Sequence, residues 1–84
     1  GWSVSIGRAG DREIDFVAHR DTQVLYVQVS YLLASERTRR REFDALLAVP
    51  DNHPKLVLSL DPLSLSHDGV EHRNLVEWLL AAEE

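Results

Sequence analysis

The chain has 84 residues, enough for one small domain whose single core is marginal. Apolar residues make up 44% and charged residues 27%, an ordinary globular balance; with no cysteine, neither disulfides nor thiolate zinc sites can staple the fold. The net charge of −5, with eight Arg and one Lys, disfavours general nucleic-acid binding, which relies on basic side chains neutralising phosphates.

No apolar run is long enough to span a bilayer and no signal-peptide pattern opens the chain, so a cytoplasmic protein with no membrane partner is expected. There is no initiator Met, and the start "GWSVSIG" is already strand-like, which reads as a piece of a longer protein. "WSVSIG" alternates loosely and ends at a turn, "GRAGDR", whose glycines supply positive φ. "EIDFVAH" reads as a second strand, broken by "RDT". "QVLYVQVSYLL" carries apolar groups on both faces, as a central strand does. Three strands joined by short turns make a β-meander.

A helix follows, with Ser35 as its N-cap and Glu36 in the first turn. Phe43, Leu46 and Leu47 fall at i, i+3 and i+4, leaving Arg37, Arg40, Arg41 and Asp44 for the other sides. The helix is expected to stop before Pro50. "KLVLSLD" is a buried-type strand, "PLSLSHDG" a loop, "VEHRNL" a short strand and "LVEWLLAAEE" a closing helix with Leu75, Val76, Leu79 and Leu80 on one stripe. The order β-β-β-α-β-β-α describes an α/β sheet, with "KLVLSLD" returning beside the meander through the helical crossover.

Within this frame "EIDFVA", "YVQVSYLLA", "REFDALL" and "DNHPKLVLSLD" resemble the C-terminal domain of prokaryotic AAA+-type P-loop ATPases, over nearly the whole chain. That domain is similar to the core of PD-(D/E)xK nucleases, the restriction-endonuclease-like fold. The resemblance implies a meander, a crossover helix and further strands, with a helix before the first strand that this sequence lacks. It also implies an ATPase body elsewhere in a parent chain, with ATP as that body's ligand.

In the nuclease pattern an Asp late in the second strand and an acid two residues before a Lys on the third hold Mg²⁺, which activates water. Carried over, the Asp is Asp15, with Glu13 as an extra acid. Gln28 stands at the acid position, Val29 supplies the backbone carbonyl and Ser30 stands where the Lys belongs. Gln28 keeps an oxygen but loses a charge, and Ser30 supplies no cation. Lys55, the one lysine, opens a different strand.

Each signal has a structural alternative. Glu13 and Asp15 read either as divalent-metal ligands or as a solvated strand face paired with Arg8 or Arg12. Gln28 in a central strand needs hydrogen-bond partners, and Asp15 or Glu13 across the strands would make a neutral polar network where the motif has a metal. Arg37, Arg39, Arg40 and Arg41 read as an interaction surface or as a solvated face with i, i+4 pairs such as Glu36–Arg40. The four histidines have no metal spacing and no Ser-His-Asp set emerges. The reading is a non-catalytic accessory or interaction domain of an ATPase with a degenerate nuclease-like site. A Mg²⁺-dependent nuclease using Asp15, Glu13 and the Gln28 oxygen is one alternative, and a homo-oligomerisation module is another.

Overall fold

The computed structural model describes residues 2–33, 35–62 and 64–82. Three strands, β1 (Ser3–Ala9), β2 (Arg12–Arg20) and β3 (Gln23–Val29), precede helix α1 (Glu36–Leu47). Then come β4 (Lys55–Ser59), β5 (Glu71–Asn74) and α2 (Leu75–Ala82). The strands form one mixed sheet in the order β1-β2-β3-β4-β5. β1, β2 and β3 are antiparallel neighbours, whereas β4 lies parallel to β3 and β5 parallel to β4. The central position of β3 and the parallel return of β4 agree with the apolar character of "VLYV" and "LVL" on both faces.

Alternation along β4 sorts the two faces. Val57 joins Ile14, Val17, Phe43 and Leu46 in a core beneath α1. Leu56 and Leu58 join Val27 in a second cluster beneath Leu75 and Trp78 of α2. The helices therefore cover opposite faces of the sheet, α1 the more completely.

Local chemistry sets the boundaries. Ser35 caps α1, its Oγ accepting from the Thr38 N–H at 3.1 Å, and Ala48 ends the helix two residues before Pro50. The buried side of α1 comprises Phe43, Ala45 and Leu46, while Leu47 is exposed. That corrects the expected Phe43–Leu46–Leu47 stripe: the face is centred on Leu46, one position round the helix. The stripe expected on α2 is corrected too, because Leu75 and Trp78 pack on the sheet whereas Val76, Leu79 and Leu80 are exposed.

β1 runs through Gly7 to Ala9, so the first turn is the pair Gly10–Asp11, with Gly10 at φ 65°. Gly7 serves another purpose, since a Cβ there would collide with the Val17 side chain. Asp21, at φ 56°, opens the two-residue turn between β2 and β3. Residues 60–70 join β4 to β5, and a tight turn at Asp68–Gly69, both at positive φ, closes a bridge between His67 and Val70. No helix among the described residues is long and apolar enough to cross a membrane.

Candidate functional site

The four residues singled out by their spacing come from β2 and from β3 with its exit, and a β-bulge decides how they meet. Ser5 pairs with Val17 and Gly7 with Ile14, so Ile6 faces two residues, Asp15 and Phe16. An extra residue in one strand bends it and interrupts its pairing. On the other side, the ladder between β2 and β3 runs from Arg20–Gln23 to Phe16–Val27 and stops there.

Side chains take over where the backbone ladder ends. Gln28 Oε1 accepts from the Asp15 N–H at 2.6 Å, and Gln28 Nε2 donates to the Glu13 carbonyl at 3.2 Å. The Val29 N–H donates to Asp15 Oδ2 at 2.9 Å. The carboxamide, with one acceptor and one donor in a plane, reproduces what a peptide group would offer to β2. Gln28 is 3% exposed and these bonds satisfy it. Its partners are the main chain of Glu13 and Asp15, where the sequence pointed to their side chains. The Val29 N–H, in turn, is held by a carboxylate in place of a carbonyl.

α1 adds a residue that the sequence reading passed over. Glu42 sits four positions before Leu46 on the helix's buried side, with its side chain 12% exposed and Arg41 Nε at 3.4 Å. Burial raises its pKa first, and the negative charge of Asp15 raises it further, while Arg41 acts the other way. The i, i+4 spacing to Leu46 was the available signal.

Ser30 lies just beyond β3, and its Oγ donates to the Leu32 carbonyl at 3.3 Å, so it closes a local turn. Lys55 pairs in register with Tyr26, one same-face step from Gln28 along the sheet. Its Nζ donates to the Asp51 carbonyl at 2.7 Å and the His53 carbonyl at 3.0 Å, beneath the Tyr26 ring. Tyr26 donates to Asp51 Oδ2 at 2.6 Å, a bond that raises the phenol's pKa and lowers that of the carboxylate. The lysine closes the loop before β4 and does not reach the acids of β2.

The arginines do not share one face. Arg37, Arg40 and Arg41 line a shallow groove of about 400 Å³ with Arg12, Glu36 and Asp44. Arg39 and Arg40 border a cleft of about 710 Å³ with Phe43 and residues Ser64 to His67. Glu36 and Arg40 form the i, i+4 pair expected from the sequence, at 2.9 Å on the exposed surface.

A second polar network, unforeseen in the sequence, lies at the ends of β4 and β5. The Leu65 N–H donates to His72 Nδ1 at 3.0 Å, so Nε2 carries the ring proton and donates to Ser59 Oγ at 2.7 Å. Ser59 donates onward to Asp61 Oδ2 at 2.6 Å, and that oxygen also accepts from the Leu33 N–H at 2.7 Å. Ser59 is fully buried and His72 is 3% exposed. Burial lowers the His72 pKa, opposed by Asp61, and the Ser59 bond lowers that of Asp61. The order differs from a hydrolytic triad: the serine stands between the acid and the imidazole, and its proton goes to the acid. The set ties Leu65 and Leu33 to the sheet, and the Ser59 hydroxyl is enclosed within it.

Chemically, the bulge site offers the carboxyl groups of Asp15 and Glu42, with Gln28 turned to the backbone; Glu13 contributes its main-chain carbonyl, while its side chain is exposed and pairs in register with Arg8. These residues do not fit a divalent cation well. The Gln28 oxygen is committed to an N–H, and among the described residues no three His, Cys, Asp or Glu side chains converge at metal-ligand spacing.

No family model matches the chain. It is similar to an uncharacterised protein of Haemophilus influenzae, 37% identical over 81 residues, an alignment covering 95% of this chain and 20% of that protein. The chain thus spans about a fifth of the length of the curated relative it matches.

Proposed function

We propose that this chain is a non-catalytic accessory or interaction domain of a longer, cytoplasmic protein, with a nuclease-like site converted into sheet structure. The observation that carries the reading is the commitment of Gln28 and Asp15. Both amide atoms of one and an oxygen of the other are spent on the backbone that the bulge leaves unpaired. The missing cation supports it as well, since Ser30 closes a turn and Lys55 is bound to loop carbonyls.

A meander followed by a crossover helix and a parallel strand is the arrangement implied by the resemblance to the C-terminal domain of AAA+-type ATPases, within the restriction-endonuclease-like fold. On that reading the partner is the ATPase body of the same parent chain and ATP is that body's ligand. The length of the Haemophilus relative, of which this chain spans a fifth, is consistent with an accessory part of a longer protein.

One observation favours a second reading, a Mg²⁺-dependent nuclease. Glu42 brings a second carboxyl group towards Asp15, and burial together with the Asp15 charge raises its pKa. Titration calorimetry with Mg²⁺ and Mn²⁺ decides between them, together with cleavage assays on single-stranded, duplex and branched DNA. The accessory reading expects no heat of binding at millimolar metal and no cleavage. Metal binding lost in Asp15→Asn, with cleavage lost alongside it, would replace it with the nuclease.

A further inference from the structure

The two faces of the sheet are covered unequally, and the bare part is apolar. Val4 pairs with Ala18 and Phe16 with Val27, so Val4 and Phe16 share the face of Val27, the face that α2 covers. Ile6, two residues beyond Val4, alternates onto the same side. α2 seals Val27, Leu56 and Leu58 but leaves β1 and the adjoining part of β2 uncovered. Val4, Ile6 and Phe16 are exposed there, Ile6 at 72%.

α2 has the matching excess. Of Leu75–Ala82 only Glu77 is polar, so the helix is apolar around most of its circumference. Leu75 and Trp78 face the chain's own sheet, while Val76, Leu79 and Leu80 are exposed, Leu80 at 61%. A helix with so little polar surface is one buried on more than one side.

We propose that two copies of this chain associate about a two-fold axis, with α2 of each lying on the bare half of the other's sheet. Each α2 is then sandwiched, with Leu75 and Trp78 on its own sheet and Val76, Leu79 and Leu80 on Val4, Ile6 and Phe16 of the second copy. One chain carries both the helix stripe and the strip of sheet, as a self-complementary two-fold interface requires. Charge agrees with this occupant. On the strip Arg8 stands opposite Glu13, which leaves Arg20, its guanidinium 5.0 Å over the Trp2 ring, as the basic group at its border, and the one charged residue of α2 is Glu77. The six apolar side chains expose on the order of 600 Å² per copy, approaching the ~800 Å² per partner of a standard interface. That is also at the upper limit of the largest patch on an ordinary monomer. The inference is independent of what the polar network around Gln28 does.

Sedimentation velocity of the 84-residue chain from micromolar to millimolar concentration tests it, with Ile6→Asp and Leu80→Asp as variants and circular dichroism checking their fold. The expected result is a monomer–dimer equilibrium weakened at least tenfold by either substitution. Because the chain has no cysteine, Ile6→Cys in one preparation and Leu80→Cys in another report the geometry directly. A short bis-maleimide should join the mixed pair in preference to either like pair, and this readout stands even if an Asp variant fails to fold. A chain that stays monomeric at millimolar concentration overturns the proposal and assigns the face to a different protein or segment. Cross-linking of Ile6→Cys to itself in preference overturns it too, in favour of pairing between β1 edges.

Discussion

The polar networks at the two ends of this sheet use the same parts differently. At the bulge, Asp15 and Gln28 replace a stretch of backbone ladder, and Asp15 keeps one oxygen without a hydrogen bond among the described residues. At the far end, His72, Ser59 and Asp61 form a continuous chain from the Leu65 N–H to the Leu33 N–H, in which Ser59 Oγ accepts from the imidazole and donates to Asp61 Oδ2, and that oxygen accepts twice. The first lies beneath α1 with Glu42 as a neighbouring carboxyl group, and the second has a buried serine and imidazole with a half-buried carboxylate at its end. Residue types associated with catalysis are thus engaged structurally at both places, and they differ in how much chemistry is left over.

The comparison breaks most severely at the His72 end. His72→Leu would orphan the Leu65 N–H and remove the imidazole bond from Ser59, which keeps Asp61, as well as the polar ring from a buried site, and a loss of about 3 kcal/mol in urea unfolding is expected. Gln28→Leu orphans the Asp15 N–H and the Glu13 carbonyl beside partly open structure, where a loss of about 2 kcal/mol is expected by the same measurement. If Gln28→Leu proved neutral, the bulge would not depend on the carboxamide. Gly7→Ala sharpens the point from the other strand, since the added methyl meets Val17 opposite the bulge. About 1–2 kcal/mol of overpacking should appear in thermal melts.

Acid titration separates the two networks by sign. His72 has a folded pKa below its ordinary 6.5, so the unfolded chain takes up a proton that the folded chain refuses. Stability should therefore fall as pH drops below 6.5 towards the lower folded value. Asp61, also lowered, contributes stability above its ordinary 3.8 that is lost as pH falls through its folded value. Glu42 works the other way: its pKa is raised, so folding gains as pH falls through the folded value towards 4.5. The smallest expected effect follows from this, a gain of under about 1 kcal/mol at neutral pH for Glu42→Gln. Stability curves of the wild type and of this variant across pH check both signs.

Much of the sheet was legible because its strands carry strong local signals. "VLYV" and "LVL" are apolar on both faces and proved central, Ser35 caps its helix as its hydroxyl allows, and Glu36–Arg40 pairs as i, i+4 neighbours do. The spacing of Glu13, Asp15, Gln28 and Ser30 pointed to the stretch where Gln28 meets the Asp15 N–H and the Glu13 carbonyl. A bulge is not a property of one strand, so the sequence could not say that Gln28 would meet main chain instead of side chains. Gly7 was its trace, misread as a turn residue. Ser59, Asp61 and His72 were illegible for a different reason, as β4 and β5 meet through a parallel pairing whose register no local pattern sets. On α2 the apolar residues outnumber what one face can bury, so periodicity alone could not choose Leu75 and Trp78 over Val76, Leu79 and Leu80.

The central claim is that Asp15 serves the backbone, and two substitutions at this position measured by urea unfolding with and without millimolar Mg²⁺ test it most directly. Asn keeps an oxygen for the Val29 N–H and Ala does not. The account predicts Asp15→Asn within about 0.5 kcal/mol of wild type, Asp15→Ala about 1–2 kcal/mol less stable, and no Mg²⁺ dependence in any of the three. A wild type stabilised by Mg²⁺, with that increment gone in Asp15→Asn, would contradict it and make the carboxylate a metal ligand.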